Sequence, residues 1–151
     1  MNEAADCFSL YEGNGVTFGY PGYWELTEED QEGDIVINVA GDDSCFWLLR
    51  IFPDCPRPDD VIRSCLQALE EDSEGMEVQK IQGKLAEMPA DCRELTFSCF
   101  ELLNTAVFRC VRTVQATLLV WWQCTDHEAE DVRPIFEQMT QSVRILALEN
   151  E

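Results

Sequence analysis

The spacing of apolar positions, alternating in one stretch and filling strand-length runs between turn signals in others, predicts strands along much of this chain. In "VTFGY", Val16, Phe18 and Tyr20 fall on one face, the two-residue period of a half-buried β-strand. "DIVINVA" reads as the strand that follows the acidic loop. In "CFWLLRIF" both faces are apolar: Cys45, Trp47, Leu49 and Ile51 on one, Phe46, Leu48 and Phe52 on the other. "ATLLVWWQCT" repeats this, with Leu118, Val120 and Trp122 against Leu119 and Trp121. A strand with water on one side does not need two apolar faces. These two strands therefore predict a sheet covered on both sides, with the second in its middle.

The punctuation fits that frame. Residues 1–14 read as polar and irregular, ending in the turn signal "EGNG". "YPGYWEL" breaks the first strand, because Pro21 lacks an N–H donor and Gly22 permits a tight turn. "EEDQEGD" reads as an acidic loop around Gly33, and "GDDS" as the next turn. "MEVQKIQGKLAEM", "CRELTFSCFELL", "TAVFRCVRTVQ" and "ATLLVWWQCT" follow as an antiparallel meander, with breaks at "PAD" and around Asn104.

Two segments switch to helical spacing. The first opens at Pro58, which suits the first helical position, followed by Asp59 and Asp60 at the positive end of the helix dipole. Val61, Ile62, Cys65, Leu66 and Leu69 recur along it until the pattern dissolves near Gly75. The second opens at Thr125 and Glu128, spaced as a capping box. Val132, Phe136, Met139 and Val143 form its apolar stripe, and Pro134 bends it or delays its regular start. No internal repeat or linker interrupts the 151 residues, so they read as one domain with an ordered core over about 15–146.

Charge narrows the partners. Thirty acidic residues against ten basic ones give a formal net charge of −20, which repels phosphate backbones and anionic lipid heads. Nucleic acid and membrane insertion are therefore poor expectations, and a basic protein is a better one. The acidic positions flanking "DIVINVA" supply the candidate partner surface: Glu28, Glu29, Asp30 and Glu32 before it, Asp42 and Asp43 after it. Turns at opposite ends of one strand would make two patches rather than one.

"MNEAADCFSLYEG" has neither the basic nor the apolar region of a secretory signal, and no run approaches the ~20 apolar residues of a membrane span. The expected location is the cytosol. Eight cysteines then read as free thiols: no two have CxxC spacing, and most sit among apolar neighbours, where cysteine acts as a small hydrophobe.

The order of elements resembles the PsbP-like superfamily, which includes PsbP, the Mog-type Ran-binding proteins and the DcrB-like proteins. Phe18, Tyr20, Pro21, Trp24 and Leu26 carry the resemblance at the start, and Phe136, Met139, Ser142 and Val143 at the end. The resemblance implies an α+β fold: a central antiparallel β-sheet with helices packed on both faces, an α/β/α sandwich. It also places Tyr20 and Trp24 around a corner set by Pro21, rather than in an open aromatic cage.

Chemistry is not legible. His127 is the only histidine, and nothing beside it marks a nucleophile. Asp30, Glu32 and Asp34 alternate as in a calcium loop, but Gly33 precedes Asp34, and no bidentate glutamate follows at the required distance. No catalytic residue, metal or cofactor is expected. Members of the superfamily act mostly by binding, to a small GTPase, to photosystem subunits or to transmembrane segments of secreted effectors. The leading expectation is a non-catalytic cytosolic protein-binding or adaptor module. The alternatives are a type VI secretion effector chaperone that binds apolar segments, and an enzyme with a carboxylate-based site.

Overall fold

The computed structural model describes residues 8–41 and 44–146. Its centre is a seven-stranded antiparallel sheet in the order β3-β4-β5-β11-β10-β9-β6. The strands are β3 (Glu25–Gln31), β4 (Asp34–Ala40), β5 (Phe46–Phe52), β6 (Glu74–Ile81), β9 (Asp91–Cys99), β10 (Leu102–Arg112) and β11 (Thr117–Thr125). The expected meander is there as β6-β9-β10-β11, and β11 occupies the middle position. A second sheet joins β1 (Phe8–Gly13), β2 (Val16–Pro21) and β12 (Arg144–Ile145), while β7 (Lys84–Leu85) and β8 (Met88–Pro89) form a small hairpin. The two helices among the described residues are α1 (Pro58–Glu71) and α2 (Ala129–Ser142).

The α/β/α sandwich is corrected by this arrangement. Of the described residues 55% are strand and 20% helix, and the main core lies between antiparallel sheets. Val16 and Phe18 of β2 pack with Trp47 and Leu49 of β5 and Val107 of β10, and α2 adds Phe136 and Met139 beside them. The cover on that side is thus largely a sheet, not a layer of helices. The resemblance missed this because β1 was read as irregular. Its pattern is mostly exposed, and alternation disappears where neither face is fully buried.

Three further readings need correction. "EEDQEGD" is not a loop: β3 runs through Gln31 and pairs with β4 up to Gln31↔Asp34. Only Glu32 and Gly33 turn, with φ of 57° and 96°, the left-handed pair that a two-residue hairpin requires. The break near Asn104 lies earlier, at Phe100 and Glu101, which have φ of 53° and 66°. "MEVQKIQGKLAEM" is interrupted after Ile81 rather than continuous.

The closing helix behaves as a partial capping box. Glu128 Oε1 accepts the Thr125 N–H and hydroxyl, each at 2.9 Å. Regular helix begins after that pair, at Ala129, and includes Pro134. The opening aromatic stretch is a corner. Trp24 N–H donates to the Pro21 carbonyl at 3.0 Å, the Trp24 ring packs 5.7 Å from Phe136, and Gly19 N–H donates to Ser142 Oγ at 2.9 Å.

A cleft on the half-covered sheet face

The second core explains the first opening in the surface. Val61 and Ile62 of α1 pack on Leu95, Phe97, Ala106 and Phe108, which places α1 over β9 and β10. Strands lie about 4.8 Å apart, so seven of them span roughly 30 Å, whereas one helix is only about 10 Å wide. One helix cannot roof this face, and its β4–β5 side stays open. The expectation of a sheet covered on both sides therefore holds for the Trp47 face alone. Trp47 and Leu49 are buried, while Phe46, Leu48 and Phe52 are only half-buried.

Between α1 and the open strands lies a cleft of about 510 Å³, within the size range of ligand pockets. Val36, Leu48, Leu119 and Trp121 form its floor, and Val61, Cys65 and Ala68 its helical wall. Trp121 is held edge-on between Phe108 at 5.1 Å and Phe46 at 5.9 Å. Burial pushes the Cys65 thiol up to about 11, against the opposing pull of the nearby Arg50 charge.

The cleft's charged groups are already paired. Arg50 donates to Asp34 Oδ2 through Nε at 3.2 Å and Nη2 at 2.8 Å, and its guanidinium lies 5.0 Å from the Phe52 ring centre. Asp60, on the helical rim, accepts from Arg63 at 3.1 Å. Arginine thus holds both Asp34 and Asp60, which is not the arrangement of a carboxylate pair sharing acid and base roles. Among the described residues no group of three or more His, Cys, Asp or Glu could hold a metal ion.

The expected acidic surface is divided by the pleat. Residues paired across an antiparallel ladder share a face. Glu29 pairs with Val36 and so lies on the cleft side, whereas Glu28 and Asp30 pair with Ile37 and Ile35 on the Trp47 side. Glu28 accepts from Tyr11 at 3.1 Å and Asn14 at 2.9 Å, tying β3 to the smaller sheet. Asp30 accepts the Gly33 N–H at 3.0 Å, closing the turn that also contains Glu32. Asp42 and Asp43 lie outside the described residues. His127 is exposed just before α2.

Sequence reasoning missed the cleft because Leu48 and Trp121 were read as core. One signal was available: a single helix precedes the meander, too little to cover a wide sheet. Cys55, Cys65, Cys92, Cys99, Cys110 and Cys124 are free thiols, and Cys7 lies outside the described residues. No helix among the described residues is long and apolar enough to cross a membrane.

No family model matches this chain, and no curated protein does. Solved structures share its fold. One is LpqN, described as involved in cell envelope biogenesis of Mycobacterium tuberculosis, at 14% identity and a TM-score of 0.58 over 93% of this chain and 91% of that one. Another, from Bacteroides thetaiotaomicron, is 14% identical with a TM-score of 0.59 over 95% of this chain. This chain spans half the length of that structure. At such identity the likeness is one of fold alone: a strand-rich architecture, with no family shown.

Proposed function

We propose that this chain is a non-catalytic protein-binding module that receives an apolar stretch of a partner in the cleft between α1 and β5. The observation that carries the reading is the half-covered floor, where Leu48 and Trp121 remain partly exposed at the margin of the second core. Apolar side chains grouped around an opening are the usual mark of an interaction site. Free thiols in a cysteine-rich chain support a cytosolic setting. The PsbP-like assignment is part of the same proposal. Its support is that the two stretches carrying the resemblance meet, through Trp24 on Phe136 and Gly19 on Ser142.

The alternative of a secretion chaperone has less support from the cleft's size. A transmembrane helix is about 30 Å long and 10 Å across, far larger than a space of about 510 Å³, which suits a few side chains. The carboxylate-enzyme alternative has little support from a rim whose carboxylates are held by Arg50 and Arg63.

The test is to select peptides against the immobilised protein and measure their affinity for Leu48→Asp. A change at exposed Leu10, which lies on the other sheet, is the control. Affinity should fall at least about tenfold, or ~1.4 kcal/mol, for Leu48→Asp and stay constant for Leu10→Asp. Equal binding to both variants would refute the cleft as the site.

A further inference from the structure

We infer that the partner segment adds as an extended, lysine- or arginine-bearing strand to the outer edge of β3, enlarging the sheet beside the cleft. This rests on the reading that the β4–β5 side is the binding face.

The first support is the edge itself. β3 ends the seven-stranded sheet, and its seven residues are all exposed except Leu26, which is half-buried. Its pairing with β4 runs without interruption from Glu25↔Ala40 to Gln31↔Asp34. At the sheet's other end, β6 contains a register shift between Glu74 and Glu77. Shifts and bulges of that kind discourage edge pairing. β3 has none, so it presents a regular row of backbone donors and acceptors about 23 Å long.

The second support is charge, which selects the occupant. Glu25, Glu28, Glu29 and Asp30 guard this edge without any lysine or proline. A second copy brings the same carboxylates and the same net charge of −20, so pairing of β3 with β3 is repelled. A strand carrying cations is attracted by the same groups, and its backbone supplies the missing hydrogen bonds. This is recognition by strand addition.

The pleat makes the inference sharper. Glu28 and Asp30, on the Trp47 side, accept hydrogen bonds from the chain's own Tyr11, Asn14 and Gly33, and Glu29 accepts one from the exposed Gln31 side chain two residues along at 2.9 Å. Glu25 and Glu29 share the opposite, cleft side of the pleat, where Gln31 also lines the cleft. A partner strand therefore places its basic residues beside Glu25 and Glu29. Replacing Glu29 should weaken binding more than replacing Asp30, although the two are adjacent and both exposed.

A short capped peptide alternating lysine and valine is the probe, read by amide hydrogen exchange on the full chain. Binding should slow exchange of alternate β3 amides at least about tenfold, and Glu29→Lys should abolish that protection while Asp30→Lys retains most of it. The same peptide N-methylated at alternate residues, which keeps its charge but loses edge donors, should give none. Binding without β3 protection, equal protection by the N-methylated peptide, or no binding would each overturn strand addition. Selected peptides that still depend on Leu48 would then leave the cleft reading intact; loss of both dependences would remove it too.

Discussion

Leu48 on β5 and Trp121 on β11 stand directly opposite each other in the antiparallel register, and both line the floor of the cleft. Their neighbours one position along, Leu49 and Trp122, point to the other face and are buried. The same two strands thus present one closed face and one open one. The difference comes from what covers them: β2 and α2 on the closed side, α1 displaced toward β9 and β10 on the other.

The closed side should be the more sensitive to truncation. Phe136 is completely buried and stacks on Trp122 at 5.2 Å. Phe136→Ala should cost about 3–5 kcal/mol, measured by urea unfolding. Leu48→Ala should cost about 1.5 kcal/mol or less, since part of its surface already meets water. A reversed order would place the main core on the wrong face.

A buried polar contact pins the helix to the same core. Trp47 Nε1 donates to Thr140 Oγ1 at 3.0 Å, and that hydroxyl donates to the Phe136 carbonyl at 2.7 Å. Thr140→Val keeps the shape but strands the indole N–H. A loss of about 1–3 kcal/mol is expected, whereas an unchanged urea midpoint would show that the indole finds another acceptor.

The thiols predict an alkaline limit. Burial, the largest influence, pushes Cys110 up to about 12 and Cys124 up to about 11, from ordinary values near 9. The folded state therefore holds these protons more tightly than the unfolded chain. Stability from this source is complete below about pH 9 and is lost as pH rises through about 11 to 12. Unfolding midpoints at pH 8 and pH 10.5 should differ, and Cys110→Ala should reduce the difference. An equal fall with pH in that variant would assign the limit to other groups.

Much of the fold was legible from residue order. β2 follows from alternation, β4, β5 and β11 from apolar runs of strand length between turn signals, both helices from apolar spacing, and the central place of β11 from its two apolar faces. What escaped had weak local signals. β1 contributes exposed Leu10, and β3 has carboxylates at four of its positions, which suggest a loop unless the pairing with Val36 and Ile37 is known. The turn at Phe100 and Glu101 lacks the glycine that marked the turns at Gly15 and Gly33, since both residues adopt positive φ themselves. The cleft was the hardest feature to read. Two apolar faces imply two covers, but only the tertiary position of α1 tells how far a cover extends.

Mapping a selected peptide onto the protein by backbone amide chemical shifts tests the proposed binding face most directly. With the peptide at saturation, the account predicts that the largest changes fall at Val36, Leu48, Cys65 and Trp121, around the cleft. Changes centred on the exposed hairpin tip at Phe100, or on β1 and β2, with the cleft residues unmoved, would contradict it.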